Sequence, residues 1–557
     1  MDEISPIDPE SPPDNQNTTP PATTITPLQF DPPPPQRSTL RTTSIILILC
    51  LTLFISALDQ TIISTTIPTI TKSLNSAAGY TWIGASYLLA ICAANPIWIR
   101  ISDIWGRKPA LLSTIVIFAI GSLLAATSRT MAMLIAGRAV QGLSGGGLMA
   151  LVNIVISDLF SMRHRALYIS ATALVWVLAG TTGPVIGGAL AEFVGWRWCF
   201  WINLPVCGVA FIIVLLFLDL HNPRTNLSEG LKAVDWLGGI SILAVILLLL
   251  LGLDFGGVSF AWSSATVICM IVVGTVLIGM FLFVERKVAR YPLMHLGVFN
   301  HWENVAVILV AAAHSMATRG AEYYLPFYFQ SVKGASPTRS GVLVLPMMIA
   351  ASVSDVVVGV VVHKTGRYRE VIWLGSVVLT LGTGLYVLLG VDTSLAEIIV
   401  FQVVGGVGLS LLLSTPMLAI QNTVRQGDVA VATATLGFVR SIATSLAVVI
   451  GGVVFQDSMA MRKGGLVEAG LDAELVGLFG GEDAAANVDV IGSIGDVGQQ
   501  RAVREAYACS IRNMFVLYTA AAAVGVLAAP WVRQRVMSGE HTETKTGVEN
   551  MRERGKE

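Results

Sequence analysis

Two residues of opposite charge stand deep inside long apolar stretches of this 557-residue chain. An ionisable group is expensive there and marks a functional site by default. Asp59 lies 16 residues into the apolar run 43–67, and Arg138 about 19 residues from the far end of the run 131–157. At 1.5 Å per helical residue these depths are about 24 and 28 Å, counted from the same side when consecutive runs alternate in direction. The two charges can pair if their helices are neighbours. Protonating Asp59 would then free Arg138, which is a proton-coupling switch in outline. The plainer reading is an ion pair that only fixes helix packing. Gln141, three residues past Arg138 on the same helix face, is grouped with the candidate substrate residues below.

A second polar set lies later in the chain. His314, Arg319, Glu322 and Tyr323 fall in the run 304–330, Asp355 in 339–362 and Arg440 in 430–455. Arg319 and Glu322 are spaced i,i+3 and can pair on one helix face. Histidine titrates near neutral pH and suits proton exchange, although a lone histidine is more often a packed one. Any of these residues could hold a polar group of a substrate or a second proton, or simply tie the bundle together. Tyr323, Tyr324, Phe327, Tyr328 and Phe329 crowd into one and a half turns. Their rings could line a cavity for flat or cationic cargo. For Tyr328 and Phe329 an interfacial aromatic belt is the expectation.

The elements that position these residues are read from hydropathy. The chain is 54% apolar, 13% charged and has a mean hydropathy of +0.70. Outside 1–42, 457–510 and 533–557 the charged share falls to about 9%, too sparse for a soluble surface. Apolar runs long enough to span a bilayer fall at 43–67, 80–99, 110–127, 131–157, 168–192, 199–219, 236–254 and 265–284. Six more follow at 304–330, 339–362, 371–390, 396–421, 430–455 and 511–532. Continuous runs of this length are helices rather than barrel strands. The sequence therefore predicts an all-α polytopic membrane protein with 14 transmembrane helices: two six-helix bundles plus two additional central helices. The expected bundles are 43–220 and 301–532, with the extra spans and linkers in 221–300. The segment 1–42, rich in Pro, Thr and acid, reads as a disordered tail, 533–557 as a second tail and 457–510 as a long loop.

Alternate loops carry Arg100, Arg107 and Lys108; Arg163 and Arg165; Arg224 and Lys232; Arg286, Lys287 and Arg290; Lys364, Arg367 and Arg369; and Arg425. Basic loops stay in the cytoplasm. Both termini are thus expected there, with 457–510 facing outward or into a lumen and the sequons at Asn17 and Asn226 on the cytoplasmic side. No GxxxxGK[ST] phosphate loop is present, the histidines show no metal-ligand spacing, and the six cysteines form no CxxC pair or disulfide framework. The net charge of −1 speaks against nucleic acid as a partner. With no metal, no cofactor and no nucleophile–base set, an ion gradient is the expected energy source and the chain is not expected to be an enzyme.

Two patterns bear on mechanism. Gly180-Thr-Thr-Gly183-Pro184-Val-Ile-Gly187-Gly188 stacks glycines on one face, as in close helix packing or a hinge. The segment Asp103-Ile-Trp-Gly106-Arg107-Lys108 is echoed eight runs later by His363-Lys-Thr-Gly366-Arg367-Tyr368, and repeated halves are a transporter signature.

These residues, in this order, resemble the signature motifs of the major facilitator superfamily, in its 14-spanner drug:proton antiporter branch. The resemblance rests on Leu58-Asp59-Gln-Thr-Ile-Ile-Ser-Thr-Thr-Ile-Pro68, the Asp103…Gly106-Arg107 loop, Arg138-Ala-Val-Gln141-Gly142 and the Gly183-Pro184 run. Trp196-Arg-Trp-Cys-Phe-Trp-Ile-Asn203-Leu-Pro205 and Tyr324-Leu-Pro326-Phe-Tyr-Phe-Gln330 fit it too. It covers about 43–532. One departure is Ile99, where the family loop has glycine, which bears on how closely spans 2 and 11 approach. The resemblance implies that Asp103 and Arg107 form a cytoplasmic gate, that Arg138 relays protons, and that Gly183-Pro184 marks an antiporter. The expected function is proton-coupled efflux of small amphipathic molecules such as drugs, toxins or secondary metabolites. The alternatives are a vacuolar basic amino acid or siderophore transporter, or a non-transporting membrane sensor. The expected partners are a small-molecule substrate, protons and the lipid bilayer of the plasma membrane, or else of the vacuole, for a multi-pass monomer.

Overall fold

Every apolar run becomes helix, because a chain with no polar solvent along it must satisfy its N–H and C=O groups internally. The computed structural model describes residues 39–537, except parts of 64–78, 219–234, 257–259, 290–295, 425–427 and 481–486. The tails 1–38 and 538–557, with Pro68, Arg224, Lys232, Arg290, Arg425 and the Asn17 sequon, lie outside the described residues. In chain order the first helices are α1 (Thr39–Ile62), α2 (Gly79–Trp105), α3 (Arg107–Ala126), α4 (Met131–Leu159), α5 (Met162–Ala189) and α6 (Trp198–Phe217). The next two are α7 (Trp236–Phe255) and α8 (Ala265–Phe283). Then come α9 (Trp302–Ser331), α10 (Pro337–Thr365), α11 (Arg369–Tyr386), α12 (Leu395–Leu411), α13 (Thr415–Gln421) and α14 (Val429–Met461). Two short helices, α15 (Lys463–Glu468) and α16 (Ala473–Phe479), precede the last long one, α17 (Val497–Ala528).

Local sequence sets the helix ends. Thr130, Ser264 and Ser336 accept backbone N–H bonds from the first turns of α4, α8 and α10. Ser394 and Glu397 form a reciprocal capping box on α12. Gly106 (φ 96°) makes the turn from α2 into α3, and Gly366 (φ 66°) closes α10. Both occupy backbone that an L side chain enters only with strain. The sequence echo is thus an echo of a glycine with positive φ and not of one turn: ψ is 158° at Gly106, which starts α3, and 14° at Gly366, which ends α10.

The helices pack in two groups. In the first, α4 lies against α2 and α3, α1 against α5 and α6, and α3 against α6. In the second, α12 packs on α10 and α11, and α17 on α9, α11 and α14. The pair α7–α8 attaches mainly through α7 to α2. The groups meet where α5 lies along α10 and α2 along α14. This junction is followed from the basic-loop end of the bundle: the His164 and His363 ring centroids are 4.8 Å apart, and Arg165 Nη1 donates to Gln421 Oε1 at 3.5 Å. It reaches Gly180 and Met348 further along the same helices.

Three expectations change. Ile99 meets Ala430 and Ala434 of α14, the thirteenth apolar run rather than the eleventh, because the inserted pair α7–α8 shifts the count by two. A branched side chain fits there because α14 offers only methyl groups in return. Tyr328 and Phe329 form no lipid-facing belt. Both are fully buried, and the Tyr328 hydroxyl donates to Gly390 O at 2.8 Å, which satisfies a phenol that the core would otherwise strand. The segment 457–510 is not a plain loop. It begins inside α14, ends inside α17, and carries α15 and α16 between them. Leu466, Leu471, Phe479 and Ile491 bury against the end of the bundle, and Tyr507 pins Ala484 O at 2.5 Å.

Gly106 holds φ 96° and ψ 158°, backbone that is essentially open to glycine alone, so Gly106→Ala loses roughly 1–3 kcal/mol. Gly84→Ala, where an added Cβ meets open space, loses nothing. Melting of the two purified variants in detergent checks this.

Candidate functional site

The structure brings Asp59 and Arg138 together. Arg138 Nη1 lies 2.5 Å from Asp59 Oδ2, and both side chains are sealed from solvent. Asp59 Oδ1 accepts from Gln141 Nε2 at 2.9 Å and from Asn203 Nδ2 at 2.7 Å. Gln141 returns its Oε1 to Arg138 at 2.9 Å, and its amide also donates to Ser122. Arg138 Nε donates to Ile83 O at 3.2 Å, and the guanidinium lies 4.2 Å from the centre of the Tyr87 ring. Five helices thus contribute: α1, α2, α3, α4 and α6. Three of these donor groups converge on the Asp59 carboxylate, and a buried charge survives only with such compensation. Gln141, grouped by sequence with the candidate substrate residues, belongs to this cluster.

The α2–α3 turn builds a second charge set. Arg107 reaches Asp103 Oδ1 at 2.5 Å, Ser102 Oγ at 2.6 Å and, through Nε, Asp158 Oδ2 at 2.7 Å. Asp103 also faces Arg100 at 3.7 Å. Arg107 therefore ties α2 to the end of α4. At the echo position the acids are missing: Gln534 Nε2 donates to Gly366 O, and its Oε1 accepts from the Tyr368 and Arg369 N–H groups.

On α5 the glycines do different jobs. A Cβ on Gly183 would lie 2.1 Å from Thr61 Oγ1 on α1, half a turn from Asp59, and Thr61 itself donates to Ala179 O at 2.8 Å. A Cβ on Gly180 would lie 3.9 Å from Met348 Sδ of the second group, while Gly187 is buried. The side-chain surroundings of Pro184 and Gly188 lie outside the described residues. The helix runs through both and widens into a π turn at Leu190–Val194.

The second-half candidates split in two. Arg319 and Glu322 pair at 3.0 Å on a partly exposed face of α9, and Tyr323 is exposed beside them. His314, Asp355 and Arg440 belong together around the α12–α13 break. His314 Nε2 lies 2.9 Å from Leu409 O, Asp355 Oδ1 accepts from Ser414 Oγ at 3.2 Å, and Arg440 donates to Leu412 O and Leu413 O.

Asn203, Ser122 and Tyr87 escaped sequence reasoning, and so did Asp158. Neutral polar residues in apolar runs are common, and only the meeting of helices shows which face a charge. Asp158 sits at the end of a run, where an acid draws no notice.

A sequence profile described as the Major Facilitator Superfamily matches residues 49–448. The chain is 42% identical to the MFS-type transporter ppz2 of Metarhizium majus, covering 91% of this chain and 88% of that one. It is 41% identical to the efflux pump dotC of Dothistroma septosporum, covering 91% and 86%. Among solved structures it resembles the proton:xylose symporter XylE, with a TM-score of 0.56 at 15% identity over 91% of this chain and 99% of that one. It also resembles human MFSD10, with a TM-score of 0.55 at 15% identity over 86% and 99%. The fold and these matches define a multi-pass integral membrane protein of the transporter class. The chain belongs to the major facilitator superfamily.

Removing one member of the Asp59–Arg138 pair strands the other in a dry site. Arg138→Met is expected to cost about 3–5 kcal/mol. The double variant Arg138→Met with Asp59→Asn recovers part of that loss. Chemical denaturation of both in detergent distinguishes this from simple additivity.

Proposed function

We propose that this chain is a proton-coupled antiporter that exports small amphipathic molecules, such as drugs, toxins or secondary metabolites, across the plasma membrane. The observation that carries the reading is Asp59: a sealed carboxylate whose two oxygens take three donors, one of them a guanidinium from another helix. A proton arriving from outside binds Asp59, and the neutral carboxyl releases its hold on Arg138. The five helices that met at that charge can then repack, and Gly183 keeps α1 and α5 close enough for the change to pass between them. Loss of the proton to the cytoplasm restores the pair. The proton gradient takes the place of a cofactor, and one chain suffices.

The contacts between the two halves support the placing of this state in the cycle. They run from His164–His363 at the basic end toward Gly180–Met348, the arrangement of a chamber shut at the end where the Asp103–Arg107 latch lies. With the basic loops cytoplasmic, that state opens outward, and rocking of the halves returns it. Relatives named as efflux pumps support the export direction.

In sealed inside-out vesicles under an imposed pH gradient, the wild-type protein accumulates amphipathic dyes from a panel of rhodamine and naphthalene derivatives. Asp59→Asn, still folded by size-exclusion profile, accumulates none. Coupled uptake that survives unchanged in that variant overturns the assignment.

A further inference from the structure

The second polar cluster leaves a charge unanswered. His314 lies 12 residues into α9, Arg440 lies 11 residues into α14, and Asp355 lies 10 residues before the end of α10. At 1.5 Å per residue all three stand about 15–18 Å from the basic end, near mid-bilayer. Between them passes the break between α12 and α13. Pro416 has no N–H to offer Leu412 O four residues earlier, so carbonyls at the break turn to side chains from other helices. Arg440 Nη2 takes Leu412 O at 3.2 Å and Leu413 O at 2.8 Å, and His314 Nε2 takes Leu409 O at 2.9 Å.

Those bonds use one nitrogen of the guanidinium. Arg440 Nε and His314 Nδ1 are buried without a partner. The His314 ring is 3% exposed, whereas Arg440 is only half-buried. Among the described residues no carboxylate lies within ion-pair distance of Arg440. Asp355 gives Oδ1 to Ser414 instead. Arg440 thus holds its positive charge against carbonyl dipoles alone, with no anion among the described residues to answer it. The first half reaches the same place. Asn95 of α2 lies 3.8 Å from the Cβ position of Gly437, one turn before Arg440, and its Oδ1 has no partner either. The cluster therefore sits at the boundary between the halves, where alternating access requires cargo to be held.

We infer that Arg440 is the cargo's anion site, and that the cargo is an amphipathic molecule bearing an oxyanion, a carboxylate or acidic phenolate, beside a hydroxyl. The guanidinium fork matches an oxyanion. His314 donates through Nε2 to Leu409, so Nδ1 of the neutral ring is an acceptor and takes the hydroxyl. The inference rests on the transport reading above but concerns recognition rather than coupling.

Binding to the purified full-length protein in detergent, with no gradient, tests it. The probes are 3-hydroxy-2-naphthoate and its neutral methyl ester. The wild type binds the anion at least tenfold more tightly than the ester. Arg440→Gln, whose amide can still donate to the Leu412 and Leu413 carbonyls, loses that preference while its affinity for the ester stays within twofold. Arg440→Lys keeps a partial preference. Equal binding of the two probes by the wild type, binding of neither, or an undiminished preference in Arg440→Gln overturns the inference. An undiminished preference with a lowered melting temperature would leave Arg440 as a helix-break cap only. The binding assay uses no gradient and no Asp59 variant, so failure of the coupling reading and failure of this one are separately visible.

Discussion

A carboxylate removed from water must be paid for in full by its neighbours, and the first half of this protein is organised around that requirement at Asp59. Its partners come from α3-backed Gln141 on α4, from Arg138 one turn earlier, and from Asn203 at the start of α6. α4 reaches both carboxylate oxygens, and α6 adds the third donor. The relative rotation of α1, α4 and α6 is therefore fixed by one charge, since a shift of a few ångströms in any of them would strand a polar group at a cost of about 1–3 kcal/mol. Protonation removes the reason for that rotation without removing a single atom from the core.

Close backbone approach makes such a geometry reachable. Asp59, Asn203 and Ser122 are short side chains, so their helices must come near enough for them to take part. On α4 a Cβ at Gly142 would lie 2.3 Å from Tyr87 O, and one at Gly146 would lie 2.8 Å from Ile91 O. Those glycines let α2 lie against α4 along the stretch that carries Arg138 and Gln141. This is the small-residue packing that membrane helices use where lipid offers no hydrophobic drive for association. The Gly183–Thr61 contact does the same for α1 and α5.

Much of this was legible in the sequence, for a physical reason. A charge inside an apolar run is rare enough to be informative alone, and equal depth on antiparallel runs makes pairing a geometric expectation. Asp59 and Arg138 were readable on those grounds, and the Arg107 turn through its echo at Gly366-Arg367 and the family resemblance. Asn203 and Ser122 were not, because a neutral polar residue costs far less in a helix and carries no depth signal. The Ile99 partner was misplaced because sequence gives the order of helices but not which face which. Tyr328 and Phe329 were misread as a belt because an aromatic run has the same composition whether it faces lipid or core. Only the Gly390 carbonyl waiting for the phenol decides between them. The fold of 457–510 was hidden by its Gly, Ala and Asp content, which breaks its apolar residues into groups too short to read as a run.

The two halves answer the problem of buried charge in opposite ways, although each carries a Gly-Arg turn whose glycine has a positive φ. At Asp59 the protein supplies every partner from its own chain. At Arg440 it supplies two carbonyls from a broken helix and leaves the guanidinium otherwise uncompensated. The same asymmetry appears at these two turns, where Asp103 and Asp158 hold Arg107 while Gln534 holds the Gly366 turn without any charge. A closed charge pair is a stable resting state that a proton can undo. An open charge has lowest energy only when something else fills the site. In the proposed cycle the first arrangement suits the driving ion and the second suits cargo, and the sequence departs from its own internal repeat at the residues that create this difference.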